Sequence, residues 1–124
     1  MRFVWSQYLT LAKELAGHSV TASTEAKLRS SVSRAYYAAF CEARNYLRNE
    51  LGYPIPTTGE AHKLVIDNLK TSIEPKLRRV GINLDRLRID RNKTDYKDSV
   101  TGLHSMTKMA LMLSEQIIST LNTS

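Results

Sequence analysis

The segment Lys76–Lys97 concentrates the charge of the chain. Eight of its residues are Lys or Arg (Lys76, Arg78, Arg79, Arg86, Arg88, Arg91, Lys93 and Lys97) and three are Asp (Asp85, Asp90 and Asp95). It therefore holds +5 of the +6 carried by all 124 residues. Cations at this density suit phosphate oxygens, whose contacts dominate nucleic-acid affinity and make it salt-dependent. The plainer alternative is a solvated helix surface laced with i,i+4 pairs, such as Arg86 with Asp90.

Within that segment Leu84, Leu87, Arg91 and Thr94 recur at steps of 3, 4 and 3. Arg91 thus falls on the apolar face of a helix. A guanidinium there must be paired and hydrogen-bonded, because burying a bare charge is very costly. Asp95, one turn on, is the available partner, which gives a structural ion pair. The functional alternative is an Arg at the floor of a cleft, offering its planar fork to a phosphate. A second mixed face precedes it. Ser33, Tyr37, Phe40, Cys41, Arg44 and Arg48 cluster opposite the main apolar stripe of their helix, and Ala35–Cys41 carries no charge. Such a helix must be covered on both sides, either as the centre of a bundle or by a second subunit.

Other chemistry finds little support. His18, His62, His104 and Cys41 lack metal-ligand spacing. There is no P-loop, no GxGxxG and no Ser nucleophile elbow. Met106, Met109 and Met112 fit helix packing, and Cys41 reads as a core thiol. No metal and no cofactor are expected.

Five helices must position these groups. The first spans about Phe3–Ala16, with Val4, Tyr8, Leu11, Ala12 and Leu15 inward. The second spans about Ala22–Leu51, capped by Thr21 or Ser23, with Leu28, Val32, Ala35, Ala39, Ala43 and Tyr46 as its stripe. The third spans about Gly59–Lys70, capped by Thr58, with Leu64, Val65 and Leu69 inward. The fourth runs from about Pro75, which is allowed in a first turn, to Thr94, with Gly81 as a break point. The fifth spans about Ser99–Leu121, capped by Asp98, with Leu103, Met106, Ala110, Leu113, Ile117 and Leu121 inward. No alternating strand pattern occurs. The expectation is an all-α fold, an antiparallel four- to five-helix up-and-down bundle with short connections.

The 124 residues, 42% of them hydrophobic, suffice for one domain, 1–124, with a core of its own. One cysteine excludes a disulfide framework. No stretch approaches the ~20 apolar residues of a membrane span, so no membrane partner is expected. Met1–Leu11 lacks the apolar core and small-residue cleavage site of an export signal. The expected setting is cytoplasmic.

Two strings, Ser33-Arg34-Ala35-Tyr36-Tyr37-Ala38-Ala39-Phe40 and Arg91-Asn92-Lys93-Thr94-Asp95-Tyr96, flank His62-Lys63-Leu64-Val65. Together they resemble the HEPN family (higher eukaryotes and prokaryotes nucleotide-binding domain), most of all its small stand-alone prokaryotic branch with SRAYYAAF and R-x-x-A-D-Y motifs. Thr94 stands where the second motif has Ala. The resemblance covers nearly the whole chain. It implies a homodimeric helical bundle, often a metal-independent ribonuclease toxin encoded beside a nucleotidyltransferase antitoxin. The implied active site is R-x(4–6)-H, with the Arg at Arg91 followed by Asn92. The His positions hold Tyr96, Lys97 and Asp98 instead.

That departure bears on chemistry. In attack of a ribose 2′-OH on its phosphate, Arg steadies the phosphoryl charge and His moves the proton. Ionising Tyr96 at pH 7 would cost roughly 4 kcal/mol. Asp95 is weakly basic and repels phosphate, and His62 substitutes only if the third helix brings it to the cleft. The resemblance therefore implies an RNA- or nucleotide-binding protein using Arg88, Arg91, Asn92, Lys93 and Arg34, supported by Ser33, Tyr37 and His62. One alternative is an endoribonuclease with a site rebuilt from Arg91, Asp95 and Tyr96. Another is a non-enzymatic helical adaptor or dimerisation module.

Overall fold

The computed structural model describes residues 3–17 and 24–123. They form an all-α bundle: α1 (Gln7–Gly17), α2 (Thr24–Asn49), α3 (Glu60–Lys70), α4 (Pro75–Tyr96) and α5 (Leu103–Asn122). There is no strand among the described residues. None of these helices is long and apolar enough to cross a membrane. The Thr21 or Ser23 cap and His18 lie outside the described residues.

α2 is the central element and packs against all four other helices. Its 26 residues extend about 39 Å at 1.5 Å per residue. The stripe Leu28, Val32, Ala35, Ala39 and Ala43 is buried, and so are Tyr36, Ala38, Phe40, Cys41 and Leu47 on its other sides. The covering expected of this helix is thus largely supplied by the chain itself. Small residues bring the helix axes close. Ser31 Oγ donates to the Ala12 carbonyl of α1 at 2.7 Å, and Ser114 Oγ of α5 donates to the Ala35 carbonyl at 2.8 Å. Both hydroxyls are buried, so these bonds satisfy groups that would otherwise be costly. α2 ends at Asn49, short of Leu51. Gly52 takes φ 71°, and the Tyr53 N–H returns to the Leu47 carbonyl at 3.0 Å, a reversal that favours glycine.

Gly81 does not break α4. A Cβ at this position would lie 2.7 Å from the Lys70 backbone nitrogen and 2.9 Å from Leu69 Cβ. The glycine is therefore the notch that seats the end of α3 on α4. The Lys70–Asp85 ion pair at 3.1 Å closes the same contact. With its C-terminal end fixed there, α3 carries His62 at its other end to the aromatic face of α2.

Several local expectations are corrected. α1 begins at Gln7 and not at Phe3, so Val4 precedes it and is exposed; within α1 Leu9 and Ala12 are buried and Leu11 is exposed, because the covered face is rotated about one position. Leu64 is 38% exposed, and Ala61, Val65, Ile66 and Leu69 form the covered face of α3. Thr58 caps α3 only through its carbonyl, which accepts from the Ala61 N–H at 3.0 Å; the N-cap is Gly59. Asp98 does not cap α5, whose N-cap is Gly102 at φ 70°. α4 runs on to Tyr96, and Arg29 of α2 holds the chain beyond it. Its guanidinium donates to the carbonyls of Thr94 (2.9 Å), Lys97 (2.7 Å) and Asp98 (3.0 Å). A cation on the last carbonyls of a helix satisfies orphan acceptors and opposes the negative end of its dipole. Asp98 is thereby part of the exit from α4.

Candidate functional site

Leu84, Leu87 and Thr94 are buried, and the stripe they define turns Arg91 onto α2. The Arg91 side chain is 15% exposed and its Nε lies 2.8 Å from Asp95 Oδ2, whose side chain is 25% exposed. The pair is close, but the Nε–H is not aimed along it, and buried Nε has no aligned acceptor. The rest of the fork is directed elsewhere. Nη2 donates to the Tyr37 hydroxyl at 2.6 Å and Nη1 to Asn92 Oδ1 at 3.2 Å. The guanidinium carbon sits 5.0 Å from the Tyr37 ring centre, 5.8 Å from Tyr36 and 5.9 Å from Tyr96. Cation–π contact of this kind strengthens as water is excluded.

Beside it lies an aromatic stack. His62 is parallel to Phe40 at 4.2 Å and to Tyr36 at 5.6 Å, with Tyr37 edge-on at 6.0 Å. The Tyr36 hydroxyl and His62 Nδ1 are 2.6 Å apart. Burial pushes the Tyr36 phenol well above its usual range, against the pull of Arg88 and Arg91. Burial also pushes His62 down, and Arg88 and Arg91 push the same way. Both groups are therefore neutral near pH 7. The assignment that leaves no buried proton unpaired has Tyr36 donating to Nδ1, with the imidazole proton on Nε2.

The sequence-derived residues divide. Arg91, Tyr37, His62 and Asn92 come together, with Asp95 as the ion-pair partner anticipated for Arg91. Arg88 is half-buried, forms no ion pair among the described residues, and acts on both Tyr36 and His62. Tyr96 is 74% exposed and contributes only its ring face. Arg34 and Ser33 are half-buried on α2 and take no part in the Arg91 contacts. Lys93 lies on another side of α4, in a shallow cleft with Arg86 and Asp90. Arg86 and Asp90 form the expected pair at 3.8 Å, and burial raises the Asp90 carboxyl above its usual range against Arg86 and Lys93. Lys76 and Arg79 line a further groove against α5. Seven of the eight cations thus wind around α4, Lys97 following its end, and of these Arg88 and Arg91 face the Tyr36–His62 pair.

Sequence reasoning gave no role to Tyr36 or Arg29. Tyr36 could have been found as a phenol on a helix covered all round, which needs a polar partner. For Arg29 the sequence shows only the i,i+4 pair with Glu25, because its other acceptors are backbone carbonyls more than sixty residues away. Among the described residues no three His, Cys, Asp or Glu side chains group as metal ligands. The arrangement is a cation–aromatic centre able to hold an anion beside a flat ring. Comparison with protein-family models, with curated proteins and with solved structures finds no match for this chain.

Proposed function

We propose that the protein is a HEPN-like nucleic-acid- or nucleotide-binding bundle whose phosphate contacts centre on Arg88 and Arg91. One observation supports this most directly: Arg91 lies over the Tyr36 and Tyr37 rings beside His62, and half-buried Arg88, three residues earlier on the same helix, has no ion pair among the described residues, so Asp95 is the one carboxylate paired with the two guanidiniums. A net positive charge beside neutral rings suits a phosphate and its base. Asn92 orients the Arg91 fork by accepting from Nη1, and Lys93 and Arg34 add positive charge elsewhere on α4 and α2. The proposal includes pairing as a homodimer, a cytoplasmic setting and a nucleotidyltransferase partner encoded alongside. Its test is the anisotropy of a labelled single-stranded RNA titrated with protein at two salt concentrations. Binding should weaken steeply with salt, and Arg88→Gln should weaken it at constant salt. Binding indifferent to both would refute the assignment.

A ribonuclease is the second reading, and the placement of His62 favours it. In the tautomer that carries its proton on Nδ1, donated to the Tyr36 hydroxyl, His62 Nε2 is free to take the proton of a ribose 2′-OH, which the residues at 96–98 do poorly. Cleavage of RNA by the purified protein, lost in His62→Gln, would carry it. Intact RNA after incubation with wild-type protein would end it.

A further inference from the structure

A cleft of about 520 Å³ lies along the α2 face that carries Tyr37, on the side of α1 and α3. Arg91 and Asp95 do not line it. Its walls include Trp5, Tyr37, Phe40 and His62, and the guanidiniums of Arg44 and Arg48. No carboxylate lines it. Arg44 and Arg48 follow Tyr37 and Cys41 along α2 at steps of 4, 3 and 4, so the helix itself aligns them.

Neither arginine is neutralised. Arg44 lies over the Trp5 ring at 5.4 Å and gives one hydrogen bond to Asn45 Oδ1 at 3.2 Å. Arg48 gives one to the Ile55 carbonyl at 3.2 Å. Each has five N–H donors, so most of the donor capacity is free. Neither forms an ion pair among the described residues. Two free guanidiniums on a half-buried aromatic wall call for an anion. The rings call for a flat, weakly polar body. An inorganic anion would satisfy the first and leave the rings wet; a neutral aromatic would do the reverse.

We propose that this cleft binds a nucleotide, its base against the partly exposed rings of Trp5, Tyr37 and His62, with Phe40 stacked behind His62, and its phosphate on Arg44 and Arg48. The volume lies within the range of small-ligand pockets. Arg forks match phosphate oxygens bidentately, and every base has a face for an aromatic ring. Neutral His62 contributes a ring that adds no charge of its own. The ligand is a free mononucleotide or the unpaired nucleotide of a strand, and the chemistry of recognition is the same. The inference deepens the nucleic-acid reading; it shares Tyr37 and His62 with that centre and takes its cations, Arg44 and Arg48, from outside it.

Trp5 is the sole tryptophan, so its fluorescence reports on the cleft directly. Wild-type protein is titrated with AMP, UMP, adenosine, inorganic phosphate and a short oligouridylate. Saturable quenching by AMP or UMP is expected, with adenosine and phosphate each weaker by about tenfold or more, the worth of one charge-assisted contact. Arg44→Gln, and separately Arg48→Gln, should raise the half-saturating concentration by about tenfold with unchanged far-UV circular dichroism. Quenching by the oligouridylate below the UMP concentration assigns the cleft to a strand; the reverse order assigns it to a free nucleotide. Absence of nucleotide quenching, or phosphate binding as tightly as AMP, would overturn the proposal. So would a ligand-free Trp5 signal that changes with protein concentration, which would put a second copy in the cleft. RNA anisotropy that still depends on Arg88 while Trp5 stays silent would sink the cleft alone. Quenching without RNA binding would sink the Arg88–Arg91 reading alone.

Discussion

Arg91 and Arg44 both meet the aromatic face of α2, and the difference between them separates structure from recognition. Arg91 reaches that face from α4 and is tied to Asp95, Tyr37 and Asn92. Arg44 rises from α2 itself, meets Asn45 and the Trp5 ring, and has no carboxylate partner among the described residues. A guanidinium that already holds its carboxylate stabilises the fold and offers a ligand what remains of its fork. One without a carboxylate adds little to the fold and leaves its charge to a ligand. The third case is Arg29, whose donors go to three carbonyls at the exit of α4.

The largest expected effect tests that contrast. Arg91→Ala strands Asp95 beside a partly dry wall and removes the Tyr37 bond, and should cost about 2–3 kcal/mol in urea unfolding. Adding Asp95→Ala should return about 1 kcal/mol of that loss. Arg44→Gln should change stability by less than about 0.5 kcal/mol. Equal losses in the two single variants would erase the distinction.

Gly81→Ala comes next, at about 2 kcal/mol, because the new Cβ meets the Lys70 backbone. The His62 ring resonances should shift as well, since α3 carries that ring to both regions. A variant as stable as wild type, with unmoved resonances, would show that α3 is not seated by this notch.

Tyr36→Phe should cost about 1 kcal/mol. It also removes the donor that favours the neutral imidazole, so His62 should titrate higher by NMR than in wild type. A titration that moves lower instead would mean that Nδ1 carries the proton and donates to Tyr36.

The smallest effect is in pH dependence. His62 is lowered from 6.5 by burial first and then by Arg88 and Arg91. The unfolded chain therefore takes up the proton more readily than the folded one. The stability due to neutral His62 is fully present above 6.5 and is lost as pH falls through the lowered folded value. Urea midpoints measured across that window should decline with falling pH, and His62→Gln should flatten the decline. An equally steep decline in the variant would place the titrating group elsewhere.

Much of the fold is legible along the chain. Apolar residues at helical spacing define five helices, and the position of Arg91 among Leu84, Leu87 and Thr94 marks a cation turned inward. The Asp95 partner is legible too, being one turn away. What misleads is whatever depends on a neighbour. Gly81 looks like a breaker until α3 is seen to need its missing Cβ. Asp98 looks like a cap until Arg29 takes its carbonyl. Leu64 and Leu11 look inward because periodicity locates an apolar face to within about one position, and only the packing partner fixes its centre.

The sequence by itself determined helices, the excess of cations in α4 and the presence of an arginine that must find partners, because these follow from residue type and local spacing. Only the tertiary structure decided which cations are neutralised and which rings stack. His62 meets Phe40 because α3 is hung from Gly81, and Arg44 meets Trp5 because α1 lies across α2. Contacts between distant segments depend on how whole helices pack, and local spacing along one helix carries no record of that.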